Sequence, residues 1–135
     1  MLGSRRNRFL IISLLIIGLG LVTRWPALGH HILLKFLGSA LWGSLIYCAA
    51  VILWPKAGSQ TLAIGSAIFS ATIEFSQLWH TPSLDRIRDT TLGVLLIGKY
   101  FSWWDITSYF VGIMIAWIVD LTTRQHPNLQ PVARK

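Results

Sequence analysis

Long uncharged apolar runs alternate with short polar ones along this chain. The first run, Phe9 to Thr23, is fenced by Arg8 and Arg24. It is short for a span of ~17–25 residues, but both arginines can snorkel to an interface. A retained anchor at about 8–24 is favoured over a cleaved signal peptide, because Arg24 and Trp25 interrupt the approach to Ala27-Leu28-Gly29. A connecting loop follows with Pro26, His30, His31 and Lys35. The second run, about 36–55, is long enough to cross a bilayer, and Pro55 to Ser59 makes a turn. Ser39 and Gly43 stand four apart, a spacing that lets helices approach closely.

The third run, about 60–79, carries a polar stripe. Ser66, Ser70, Glu74 and Gln77 fall at i, i+4, i+8 and i+11, on one helical face. Residues 80–89 are polar, with Pro82 as a breaker, and 90–98 is apolar but too short to cross. The pattern predicts a re-entrant or interfacial half-helix at about 89–100. The last span runs over about 103–120, with Asp105, Tyr109, Gly112 and Ala116 on one face and Asp120 at its border. The tail, 122–135, reads as loose. The predicted fold is an all-α membrane protein: one domain, four transmembrane helices and a half-helix before the last span.

Composition agrees with this reading. The 135 residues are 53% hydrophobic and 13% charged, against ~25% charged in a typical soluble domain. The net charge of +7 does not indicate nucleic acid, because the basic residues flank apolar runs instead of lining one face. Four spans put both termini on one side. Arg5, Arg6, Arg8, Lys56, Arg124, Arg134 and Lys135 outnumber Arg24, Lys35, Arg86, Arg88 and Lys99, which favours cytoplasmic termini. Trp25, Trp54, Trp79, Trp103 and Trp104 fall near span ends, as an aromatic belt does.

The chemistry concentrates between Glu74 and Tyr109. Acids within apolar spans are costly and need partners. Glu74, Gln77, Asp105 and Tyr109 approach one end of the bundle, and Arg86 and Arg88 lie on the segment joining their helices. An arginine fork suits a carboxylate or a phosphate. Three roles remain open: a site for an anionic lipid headgroup, a charged cluster that only locks helices, and an enzyme with Glu74 or Asp105 as general base. No nucleophile or phosphate-loop motif is present. No cofactor is indicated. Glu74, His80 and Asp85 lack the histidines and cysteines usual for zinc, so no metal is expected. The single Cys48 reads as a small buried residue.

Ile73-Glu74-Phe75-Ser76-Gln77-Leu78, then Arg86 and Arg88, Leu92-Gly93, Leu96-Ile97-Gly98, Trp104-Asp105, Tyr109 and Gly112-Ile113 resemble an uncharacterised family of small bacterial membrane proteins, domain of unknown function 2809. The Glu-x-x-Gln, arginine, Asp-x-x-x-Tyr-x-x-Gly pattern is also distantly similar to the VanZ-like family. The resemblance implies a bacterial inner-membrane helical bundle acting at the cell envelope. Its arginine aligns better with Arg88 than with Arg86.

Overall fold

The computed structural model describes residues 2–29 and 31–124, with side chains from Arg5 onward. These residues form helices α1 (Leu2–Val22), α2 (Ile32–Leu53), α3 (Ser59–Ser76), α4 (Pro82–Arg88), α5 (Thr91–Leu96) and α6 (Trp103–Arg124), with a 3₁₀ turn at Pro26–Leu28. His30 and the part of the expected loose tail from 125 onward lie outside the described residues. Residues 122–124 belong to α6, which corrects the expected start of that tail.

The long helices run up and down. α2 packs on α1, α3 and α6, and α3 also packs on α6. One end of the bundle therefore gathers the C-termini of α1 and α3 with the N-termini of α2 and α6. Here it is called the site end. The other, clamp end gathers the N-termini of α1 and α3 with the C-termini of α2 and α6.

Among the described residues, the expected spans hold in part. Of the four, two helices are long and apolar enough to cross a membrane: Ile32–Leu53 and Trp103–Arg124. α1 begins at Leu2, not near residue 8, so three arginines fall inside it, and α3 carries the serine and glutamate stripe. The half-helix is also shorter than expected, and a helix precedes it where a polar loop was expected. Pro82 starts α4 instead of breaking structure: proline suits the first helical position, and the Thr81 hydroxyl caps by accepting from Leu84 N. Thr90 caps α5 in the same way, accepting from Gly93 N at 3.0 Å. Gly98, at φ 75°, ends α5 in the left-handed conformation that glycine tolerates.

Burial is inverted relative to a water-soluble domain. Phe9, Tyr47, Cys48, Val51, Leu62, Ile113 and Ala116 form a small core, with Cys48 buried as a small apolar residue. Arg5, Ser66, Ser70, Glu74, Arg88, Asp105 and Asp120 are buried too. Meanwhile Ile11, Leu14 and Leu15 of α1, Ile64 and Ile68 of α3, and Met114 and Ile115 of α6 are exposed. Trp25, Trp54, Trp79, Trp103 and Trp104 are exposed at helix ends.

The helices meet through small residues. A Cβ on Gly43 would run into the Tyr109 backbone, and one on Gly112 into the Ala40 carbonyl. The Ser44 hydroxyl donates to Gly112 O at 2.8 Å across this seam. That contact fixes α6 against α2 and so places Asp105 and Tyr109.

Candidate functional site

Glu74 is fully buried in the last turn of α3. One carboxylate oxygen, Oε2, accepts from Tyr109 Oη at 2.8 Å and from Gln77 Nε2 at 3.1 Å. The other, Oε1, accepts from Ser102 N at 2.7 Å, where the chain enters α6. Three donors meet the carboxylate, and none of them is a cation. Gln77 Nε2 also donates to Ile97 O at 2.7 Å, which ties the end of α5 to α3. Glu74 is thus a post that joins α3, α6 and the α5 segment.

Asp105 lies at the same end but faces α2. Its Oδ1 accepts from Ser39 Oγ at 2.8 Å, and Lys35 Nζ stands 3.4 Å from Oδ2. Glu74 and Asp105 thus both lie at the site end of the bundle.

The expected arginine pairing fails. Arg88 is buried, but it does not reach Glu74 or Asp105. Its Nη1 donates to Trp79 O and its Nη2 to Ser76 O, both at 2.7 Å. Trp79 O is left open past the end of α3, Ser76 O already accepts from Trp79 N at 3.1 Å, and a guanidinium fork suits a pair of such carbonyls. Asp85 stands 3.7 Å from Arg88. Arg86 is exposed and, among the described residues, makes no side-chain hydrogen bond or ion pair. Of the six expected site residues, four lie at the site end: Glu74, Gln77, Tyr109 and Asp105. Arg88 caps a helix beside them, and Arg86 stands apart. His80 Nδ1 lies 3.2 Å from Asp85 on the surface, away from buried Glu74. Arg88→Leu should leave Trp79 O without a donor and Ser76 O with only the Trp79 N–H. That costs about 1–3 kcal/mol, read as a lowered unfolding temperature in detergent; an unchanged temperature would show the cap to be dispensable.

An open cavity of about 790 Å³ lies beside this cluster. Its wall includes Arg24, Lys35 and Lys99, together with Asp105, Tyr109 and Gln77. Glu74 lies behind that wall. Trp25 and Trp42 also line it. Lys99 is held above its ordinary pKa by its hydrogen bond and charge contact with Asp89, 2.6 Å away. Arg24 is exposed and, among the described residues, has no ion-pair partner.

A second polar cluster at the clamp end escaped the sequence reading. Asp120, read there as a border residue, is fully buried. Arg5 grips it bidentately, Nε to Oδ1 at 3.0 Å and Nη2 to Oδ2 at 2.5 Å. Tyr47 Oη donates to it at 2.7 Å and Ser59 Oγ at 2.5 Å. Arg5 Nη1 donates to Pro55 O and Ala57 O, the turn between α2 and α3. The signal was in the spacing: Asp120 continues the Asp105, Tyr109, Gly112, Ala116 face at i+15.

No solved structure matches the chain. A family model described as Protein of unknown function (DUF2809) matches residues 28–113. That segment contains all six expected site residues and leaves Arg5 and Asp120 outside it. By this match across more than half of its length, the chain belongs to the DUF2809 family of proteins of unknown function.

Proposed function

We propose that the protein is a membrane-embedded binding module whose cavity takes a phosphate-bearing lipid headgroup. The observation that carries this reading is the open cavity of about 790 Å³ at the site end, with Arg24, Lys35 and Lys99 in its wall. Phosphate oxygens favour such cations, and a cavity of ~300–1,000 Å³ suits a small ligand. The cationic contacts therefore move from Arg86 and Arg88 to Arg24, Lys35 and Lys99. Arg88 is occupied by the end of α3.

The membrane setting rests on the inverted burial. Exposed leucine and isoleucine surround a buried polar interior, as suits a bundle solvated by hydrocarbon. α2 and α6, each 22 residues, reach ~33 Å at ~1.5 Å per residue. In this reading α1 and α3 cross as well, with both termini cytoplasmic and the cavity facing outward. Exposed tryptophans at the helix ends fit the two interfaces.

The test is binding to vesicles or nanodiscs of phosphatidylglycerol against phosphatidylcholine. The double charge reversal Arg24→Glu with Lys35→Glu should weaken preference for the anionic lipid at least tenfold, about 1.4 kcal/mol. Both side chains are exposed, so the fold should survive the change. Equal retention of both lipids by the wild type would refute the reading.

A structural role stands second, because one observation favours it. Glu74 is satisfied by donors from within the chain and lies outside the cavity wall. On that reading the charge reversal changes no lipid preference, and Glu74→Gln lowers only stability. The same enclosure removes support from Glu74 as a general base.

A further inference from the structure

The cavity wall holds acceptors as well as cations, and they limit what a ligand can be. Asp105 presents a carboxylate there. Its Oδ1 has Ser39, and among the described residues its Oδ2 has only the exposed Lys35 at 3.4 Å, beyond good hydrogen-bond length. A bare phosphate beside Asp105 would meet a like charge. Gln77 stands in the same wall and is 3% exposed. Its Nε2 is spent on Glu74 Oε2 and Ile97 O. Turning the amide over would set an acceptor against two acceptors, so its orientation is fixed. Its Oε1 is left buried with no donor among the described residues. A buried acceptor without a donor is costly, and here a ligand can supply one. Gly98 lies beside this amide. A Cβ there would stand 2.5 Å from Gln77 Nε2 and 3.3 Å from Oε1, so the glycine leaves the amide room.

We infer that the ligand is a polyol phosphate, such as a glycerophosphate headgroup: its phosphate faces Arg24 and Lys35, and its hydroxyls donate to Asp105 and Gln77. Hydroxyl donors fit better than an ammonium group. Gln77 Oε1 is a neutral acceptor, and Lys35 already supplies a cation to Asp105. The inference rests on the headgroup reading and narrows it.

The test uses full-length protein in detergent, with Trp25 and Trp42 of the cavity wall as fluorescent reporters. The probes are glycerol 3-phosphate, inorganic phosphate and phosphocholine. Glycerol 3-phosphate should bind roughly tenfold tighter than either of the others, as two added hydrogen bonds allow. Asp105→Ala should cut that advantage to about twofold while inorganic phosphate binds no worse. Should that variant fail to fold, the wild-type ranking decides by itself. Glycerol 3-phosphate and inorganic phosphate binding equally would overturn the polyol assignment and leave the headgroup reading intact. No binding of any phosphate probe, together with no lipid preference in nanodiscs, would overturn both. Phosphatidylglycerol bound better than phosphatidic acid in nanodiscs supports the lipid source. Tight binding of free glycerol 3-phosphate with no such lipid preference supports a soluble source of the same chemistry.

Discussion

Arg5→Ala should lower the unfolding free energy of the detergent-solubilised protein by about 3–5 kcal/mol, the usual cost of removing one partner from a buried pair. The reason is what the substitution leaves behind. Asp120 has no exposure, and Arg5 supplies two of its hydrogen bonds. Tyr47 and Ser59 remain, but both are neutral donors. Arg124 Nε is 3.7 Å away, in the turn below, and Arg124 already donates to Ala57 O. Arg5→Ala with Asp120→Ala should cost less than the two single changes added together, by ~0.5–3 kcal/mol of coupling. Arg5→Lys should recover only part of the loss, because a point charge cannot span both carboxylate oxygens and the Pro55 and Ala57 carbonyls. Arg5→Ala within ~0.5 kcal/mol of wild type, on the scale of an ordinary surface change, would mean that α1 is not docked through this pair.

The clamp and the site end were unequally legible in the sequence, for a physical reason. Helical spacing alone put Ser66, Ser70, Glu74 and Gln77 on one face, and all four are buried. The same rule put Asp105 and Tyr109 together facing the bundle. Periodicity reports which side of a helix a residue takes, and that was read correctly. It does not report which partner a long side chain chooses. Arg88 was assigned to the acids because they were the visible charges. Backbone carbonyls at the end of α3 are invisible to a list of charged residues, yet they took the guanidinium. Glu74 in turn found a tyrosine, an amide and a backbone N–H.

The loop between α3 and α6 shows the opposite limit. Pro82 marks a break when read by itself, and a helix start when Thr81 before it and Asp85 after it are read together. Composition and length agree on two of the four expected spans, α2 and α6. α1 is long but carries arginines, and one of them, Arg5, is there for Asp120. A charge near an apolar run reads as a topology signal, and Arg5 is a tertiary contact as well.

Gly112→Ala should be strongly disruptive, although it adds one methyl group. The added Cβ would fall on the carbonyl of Ala40, with the Ser44 hydroxyl 3.0 Å away. Backbone cannot rotate aside as a side-chain tip can, so α2 and α6 must separate. Overpacking of this kind costs about 1–3 kcal/mol and sometimes more. Separation also weakens Ser44 Oγ to Gly112 O and draws Tyr109, one turn earlier, from Glu74 and Asp105, two turns earlier, from Ser39. The loss should therefore appear twice: as a lower unfolding temperature and as weaker ligand binding at the site end. Gly65→Ala is the matched control. Nothing lies within 4 Å of a Cβ built there, and the residue is inside α3. Alanine should gain up to ~1 kcal/mol of helix propensity at that position. If the two substitutions shift stability alike, the close approach of α2 and α6 is wrong, and with it the placement of Asp105 and Tyr109 in the cavity wall.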